Sequence, residues 1–447
     1  MKKTTFAAVA ALGLSVALAA TGCSSGSSNG QKGSGGKAGE TTEITFLTHW
    51  GPDQVKMLEA AAADFSKDNP NIKVDVQAVP FGNLLSTLRT QGASPDGPTI
   101  TGIYDLWLPE LVRDGLADPA PSDVASEVTS NWPKSLVDAS SSDGKVYGVP
   151  NEVDLYQLNY NKALFDKAGI SQPPATWDEM VSDARKITKA EPGAQGVGFI
   201  TGWGSGAVHP FLSLLASDGG TFLNADGNAS ELTSAPALET AKLYQTLVAD
   251  KLTDPSKSLA NANTTGPYLD NFANGKTGMI IMANWWEGAL KDAMGDKFSN
   301  VGTAAIPVGP SGSKSSSISY SWLTEVNAKA SDAKRAAAWK FLSWLNGADS
   351  GKNGSSAMAD ILISMGILPS RNSDIDAHKD ALNTPFLSSY VKALDTATPF
   401  PTVVGGQAAA DALQKQIESL LNGQVDAQKA MTTADKDVND ALQKAQK

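Results

Sequence analysis

The chain has 447 residues, a formal charge of −11 at pH 7, a single cysteine and ten tryptophans. An acidic chain in which arginine occurs only five times is poorly suited to nucleic acid, anionic lipid or a polyanionic ligand. Its length exceeds what one ordinary hydrophobic core supports, so two domains are expected.

At the N-terminus, Lys2 and Lys3 precede an apolar stretch from Phe6 to Ala20. That stretch falls short of the roughly 20 residues a spanning helix needs and reads as a secretory signal. Ala20, Thr21, Gly22, Cys23 resembles the lipobox of bacterial lipoproteins, with Ala20 where leucine is usual. The resemblance implies a signal peptide over 1–22, cleavage before Cys23 and a diacylglyceryl group on its sulfur. No second cysteine exists to pair with it. Residues 23–41, almost entirely Ser, Gly, Asn, Gln and Lys after the cysteine, read as a flexible tether.

From Thr42 the pattern alternates. Ile44 to Leu47 reads as a strand, Val55, Leu58, Ala62 and Phe65 as a helix, and Ile72, Val74, Val76 as a second strand. Leu84, Leu85 and Leu88 open another helix, Thr99 to Tyr104 a third strand, and Leu108, Leu111, Val112 a third helix. Further on come helices at Trp177 to Thr188, Pro210 to Ala216, Ala237 to Ala249 and Ala333 to Leu345. Strands are expected at Val146 to Pro150, Val197 to Ile200 and Met279 to Ala283, and a terminal helix at Ala408 to Leu421. This is α/β organisation with a largely parallel sheet. Asp226 and Gly227 read as a turn, since the acidic spacing of a calcium loop is missing.

Four stretches together resemble the extracellular solute-binding proteins of ABC importers, the family 1 group that includes the maltose-binding type. They are Tyr160 to Phe165 with Ala168, Gly169 and Pro173 to Glu179; Phe272 to Met279 with Trp285; Ala305 to Pro310; and Gly366 to Arg371 with the tail Leu421 to Asp426. The resemblance implies an α/β, two-lobed periplasmic-binding-protein-like fold (type II) with a hinge of two or three crossing segments. The first lobe would take 42–154 and 318–366, the second 158–316 and 370–447. It further implies a carbohydrate ligand, delivery to ABC permease subunits, no enzymatic activity and no cofactor or metal. The expected state is a monomer attached to the outer face of the cell membrane by its lipid alone. Thr176 with Glu179 forms a capping-box pattern, and Gly275 suits the reversal into Met279 to Ala283.

In parallel α/β sheets ligands gather beyond the carboxyl ends of strands. That rule selects Trp50 and Asp53, with His49; Asp105; Glu152, Asp154 and Tyr156; Trp203; Trp285, Trp286 and Glu287; Trp322; and Arg371. Sugars lie flat on aromatic rings while carboxylates bind their hydroxyl rim, so this mixture fits a neutral oligosaccharide. A polyamine would also suit acids and aromatics. Trp132, Trp339 and Trp344 are expected in cores. Maltose-type members carry a tryptophan and an arginine where this chain has Ala410 and Gln414, so one pocket wall must differ; Phe400, Gly405 and Gly406 are the candidates to supply it.

Rival readings have less behind them. The three histidines show no zinc spacing, and the GxSxG match at Gly26 to Gly30 lies in the tether, which disfavours a hydrolase, although paired carboxylates for glycoside cleavage are plentiful. Gly202, Gly204 and Ala207 match a relaxed dinucleotide fingerprint, but Trp203 sits in the turn and no acidic partner follows. Those glycines are expected to let the backbone approach a ligand. A pure adhesion role would be marked by the absence of any stabilising solute.

Overall fold

The computed structural model describes residues 41–260 and 266–447. The signal segment, Cys23 and nearly all of the expected tether lie outside the described residues.

β1 (Thr42–Thr48) leads into the helix Pro52–Asp68, whose Leu58, Ala61, Ala62 and Phe65 are buried at helical spacing. β2 (Ile72–Ala78) and β3 (Ile100–Tyr104) flank β1, both parallel to it. Parallel neighbours require crossovers, supplied by Pro52–Asp68 and the helix Phe81–Gln91. A short hairpin of β4 (Ser141–Ser142) and β5 (Lys145–Val146) then opens onto the longest strand, β6 (Gly148–Asn161).

β6 joins the two halves of the molecule. Up to Leu155 it pairs antiparallel with β10 (Ile318–Val326). From Tyr156 it pairs antiparallel with β8 (Thr277–Ala283) and, from Leu158, with β9 (Val301–Ala304). β8 carries β7 (Gln195–Gly198) parallel to it, and β10 closes on β3. The sheet therefore runs β2-β1-β3-β10-β6-β8-β7 without a break. β11 (Leu368–Pro369) lies along β6 at Glu152 and Val153, and β12 (Thr398–Pro399) along the start of β10. Thr41–Lys447 forms one compact unit.

Two hydrophobic clusters hold the sheet. One gathers Ile44, Phe46, Phe65, Ile100, Phe341 and Leu342 around the first half. The larger is built on Phe199, Phe211, Tyr244, Phe272, Ile280 and Leu413, and continues across the crossover through Ile103, Leu155 and Leu323. Trp132 and Trp339 are buried in the first cluster and Trp344 packs beside it at half burial.

Local chemistry explains several element ends. Thr176 accepts from the Glu179 amide at 3.3 Å while the Glu179 carboxylate accepts from the Thr176 amide at 3.2 Å, a complete capping box. Gly275 turns the chain at φ 67°. At Asp226–Gly227 the Asn224 side chain accepts from the amides of Asn228 and Ala229, so the polar run satisfies its own turn.

Three expectations need correction. The sheet is mixed where a largely parallel one is expected: β1 is parallel to β2 and β3, and β8 to β7, but β10 runs against β3 and β6, and β6 against β8, because β6 and β10 carry the chain across and back between the two halves. Glu152, Asp154 and Tyr156 do not follow a strand that ends at Pro150; they lie inside β6, which is buried along almost its whole length. Nor is the helix at Ala408 to Leu421 the last one. Gly406–Leu421 is followed by Ala427–Ala445, capped by Asp426 accepting from the Lys429 amide at 2.8 Å. Its buried residues Ala427, Ala430, Met431, Ala434, Val438 and Leu442 recur at helical spacing, so the period is present in the sequence.

Candidate functional site

Residues two apart on a strand share a face, so Glu152 and Asp154 project to the same side of β6. The register sets Trp322 opposite Glu152 and Tyr320 opposite Asp154, and places Tyr104 of β3 opposite Trp322. Between Trp322 and Leu323 the register with β6 slips by a residue, a bulge that bends the strand at this point. These five side chains form the floor of a cavity of about 290 Å³. Its walls come from segments that follow or precede strands: His49, Trp50 and Gly51 after β1, and Phe81 after β2. Trp203 and Ser205 enter at the start of the helix Gly204–Ser217, Trp285 just before the helix Trp286–Met294, and Met365 and Ile367 ahead of β11.

The interior combines aromatic faces with buried acid. Trp285 Nε1 donates to the Tyr320 hydroxyl at 2.7 Å, and its ring lies 5.9 Å from that of Trp203. The His49 ring lies 4.4 Å from that of Trp322. Asp154 Oδ1 accepts from Asn284 Nδ2 at 2.8 Å, and Asn284 Oδ1 accepts from the Leu155 amide at 3.0 Å, so one side chain orients the carboxylate and braces β6 where it changes partners. Glu152 is 4% exposed and its Oε2 has no hydrogen-bond partner. Burial raises the pKa of both carboxyls; Asp154 raises that of Glu152 further, while the Asn284 bond draws that of Asp154 back. Burial lowers His49 to about 4, leaving its imidazole neutral at pH 7. None of the residues lining the cavity is Lys or Arg.

Behind the floor, His209 bridges the Tyr104 hydroxyl at 2.9 Å and the Tyr156 hydroxyl at 3.1 Å. Burial lowers its pKa to about 3, so a neutral ring links β3 to β6.

Seven of the thirteen residues selected from sequence line this cavity: His49, Trp50, Glu152, Asp154, Trp203, Trp285 and Trp322. The other six lie elsewhere. Asp53 is exposed in a first helical turn, 3.4 Å from Lys56. Asp105 follows β3, accepts from the Ser321 amide at 2.7 Å and is raised by burial to about 8. Tyr156 meets His209. Trp286 packs on Tyr268, ring centroids 5.7 Å apart, and backs Trp285 at 5.1 Å. Glu287 pairs with Lys291 at 3.0 Å. Arg371 sits in a separate groove, its guanidinium 5.5 Å from the Trp132 ring and 4.0 Å from Glu127.

Nor do Phe400, Gly405 and Gly406 line the cavity. Phe400 packs against His209, the Gly405 amide donates to Glu110 at 3.2 Å, and Gly406 lies against Leu106. Gly202, at φ 83°, fits the chain against Leu259 and Ala260 while its amide donates to Glu418 at 2.8 Å. Tyr104, Tyr320, Phe81, Ser205, Met365 and Ile367 were not selected from sequence. Phe81 follows a strand as the rule requires, and Tyr320 stands two residues from Trp322. Both signals were there to be read.

A profile of the bacterial extracellular solute-binding proteins matches residues 51–352. The chain belongs to that family. A putative binding protein of Brucella abortus (strain 2308) is 30% identical to this solute-binding protein over 361 residues, 80% of this chain and 83% of the relative. The diacetylchitobiose binding protein DasA of Streptomyces coelicolor is 28% identical over 326 residues, 70% of this chain and 71% of its own. Among solved structures, the cyclic alpha-maltosyl-1,6-maltose binding protein of Arthrobacter globiformis superposes with a TM-score of 0.74 at 24% identity, covering 90% of this chain and 100% of that one. The GacH receptor of Streptomyces glaucescens gives 0.75 at 22%, covering 90% and 99%. The fold is thus the two-lobed type II binding fold. Family membership makes the chain an exported binding protein and not an enzyme. Among the described residues no helix is long and apolar enough to cross a membrane, and no group of three His, Cys, Asp or Glu side chains gathers as a metal site.

Proposed function

We propose that this protein is the substrate receptor of an ABC importer and that it captures a carbohydrate in the cavity on β3, β10 and β6. The observation that carries the reading is the convergence of Trp50, Trp203, Trp285 and Trp322 with Glu152 and Asp154 where β6 passes from one set of partners to the other. Indole faces suit the apolar faces of sugar rings, and the carboxyls and the Tyr320 hydroxyl suit their rims. At about 290 Å³ the cavity lies at the small end of ligand pockets, about 300–1,000 Å³, which favours a short saccharide over a long chain. DasA, named for diacetylchitobiose, and the Arthrobacter globiformis structure, named for a cyclic maltosyl-maltose, agree with the carbohydrate class.

The lobes are assigned as 42–154 with 318–366, and 158–316 with 370–447. The cavity lining draws on both sets: Glu152, Trp322 and Trp50 from one, Trp203 and Trp285 from the other. A ligand touching both stabilises the closed arrangement, which the permease subunits then read. Cys23 carries the lipid that holds a monomeric receptor at the membrane's outer face.

A thermal-shift screen of the purified soluble part against mono- and oligosaccharides tests the reading. A ligand at about 100 times its Kd adds roughly 2.7 kcal/mol and raises Tm by several degrees. No shift with any saccharide refutes the carbohydrate assignment. Loss of membrane attachment in Cys23→Ser tests the anchor; unchanged attachment refutes it.

A further inference from the structure

Sugar sites built for uncharged rims need only hydrogen bonds, yet this cavity buries two adjacent carboxyls and gives them no counter-charge. Glu152 and Asp154 are 4% and 1% exposed and stand two residues apart on one strand face. Neither forms an ion pair among the described residues, no Lys or Arg lines the cavity, and His49 is neutral. Lys291 and Arg371 are engaged elsewhere: Lys291 with Glu287, and Arg371 with Glu127 and the Trp132 ring. Asn284 occupies one oxygen of Asp154, while Glu152 Oε2 faces no partner. Around this pair stand aromatic rings: Trp322 opposite Glu152, Tyr320 opposite Asp154, and Trp203 and Trp285 on the wall.

We propose that the ligand selected here bears a protonated amine seated on the Glu152–Asp154 pair, which makes it an amino sugar in place of a neutral one. The inference rests on the carbohydrate-receptor reading above and specifies the substrate class of that site. An ammonium group offers three N–H donors and a full charge to two carboxylates that otherwise repel each other in a medium of low polarity. A neutral hydroxyl offers one donor and no charge, so one of the two acids must keep a proton to remain buried. The surrounding indole and phenol faces add attraction for a cation within about 6 Å of a ring centre. Acetylating the amine removes both contributions and adds bulk to a small cavity.

Matched titrations by calorimetry decide it. Glucosamine, galactosamine, mannosamine and the β-1,4 glucosamine dimer are each compared with the 2-hydroxy and N-acetyl counterparts. At least one amine is expected to bind tenfold or more tightly than both of its neutral counterparts. Glu152→Gln and Asp154→Asn are expected to erase that margin, with apo melting curves confirming that both variants are folded. If neutral sugars bind as tightly as the amines, this inference is overturned and the carbohydrate receptor stands. If putrescine or choline binds and no saccharide does, or if nothing in the panel or the wider saccharide screen binds, both readings are overturned.

Discussion

Replacing Trp285 is the sharpest perturbation of the site, because this residue joins the cavity wall to its floor through a direct bond. Its ring is braced behind by Trp286 and tied through Nε1 to the Tyr320 hydroxyl at 2.7 Å. A tryptophan side chain carries about 150–250 Å² of contact surface. With Trp286, Trp203 and Tyr320 covering the rest, roughly a third, about 70 Å², is left to meet a ligand, worth about 2 kcal/mol at ~25 cal/mol per Å². Trp285→Ala should therefore weaken binding of the best saccharide about 30-fold. Trp285→Phe keeps an aromatic face and loses the bond to Tyr320, so its affinity should fall only a few-fold. Calorimetric titration of each variant, paired with an apo thermal melt, measures both effects. An unchanged Kd in a folded Trp285→Ala protein would refute the placement of the ligand.

Other consequences follow from buried groups. Glu325 lies in β10 opposite Thr101, and burial raises its pKa from 4.5 to about 8, with the Thr101 hydroxyl drawing it back in part. The folded state thus holds a proton that the unfolded state releases between those values, so this group's contribution is full below pH 4.5 and lost as pH rises through 8. Melting temperatures of Glu325→Gln against pH should show a shallower decline than the parent over that window; parallel curves would contradict it. Asn284→Leu leaves the Leu155 amide and Asp154 without their shared partner and should cost about 1–3 kcal/mol in urea unfolding. Gly366 has φ 73°, and a Cβ there would stand 2.6 Å from Glu287 Oε2, so Gly366→Ala should lower stability by about 1–3 kcal/mol, against no change if the contact yields freely. Asp53→Ala, on an exposed turn away from the cavity, should leave saccharide affinity unchanged.

Much of the architecture could be read from the chain because its helices and parallel strands follow simple hydrophobic periods. The strands β1 to β3 show in their own local hydrophobic pattern, and the capping box at Thr176 and the turn at Gly275 depend on contacts within a few residues. The cavity floor does not. In β6, Glu152 and Asp154 alternate with apolar residues on one face and Gln157 and Asn159 on the other, each a short pattern that normally marks a solvated face. Here the polar residues are buried, some facing the cavity and others bonded deep in the second half, as Asn159 is to the Tyr390 hydroxyl at 2.8 Å. Tyr104 enters the site through its β-register with Trp322, which composition does not reveal. Arg371, Trp286 and Glu287 stand near strand ends but face other partners, because the rule of strand ends selects positions in the chain and carries no information on side-chain direction.

The most direct test of the central claim is a crystal structure with the saccharide that gives the largest thermal shift. That sugar is expected to lie over Glu152 and Asp154, with Trp203, Trp285 and Trp322 against its rings. A sugar bound in the groove beside Arg371 and Trp344, or anywhere else with this cavity left unfilled, would contradict it.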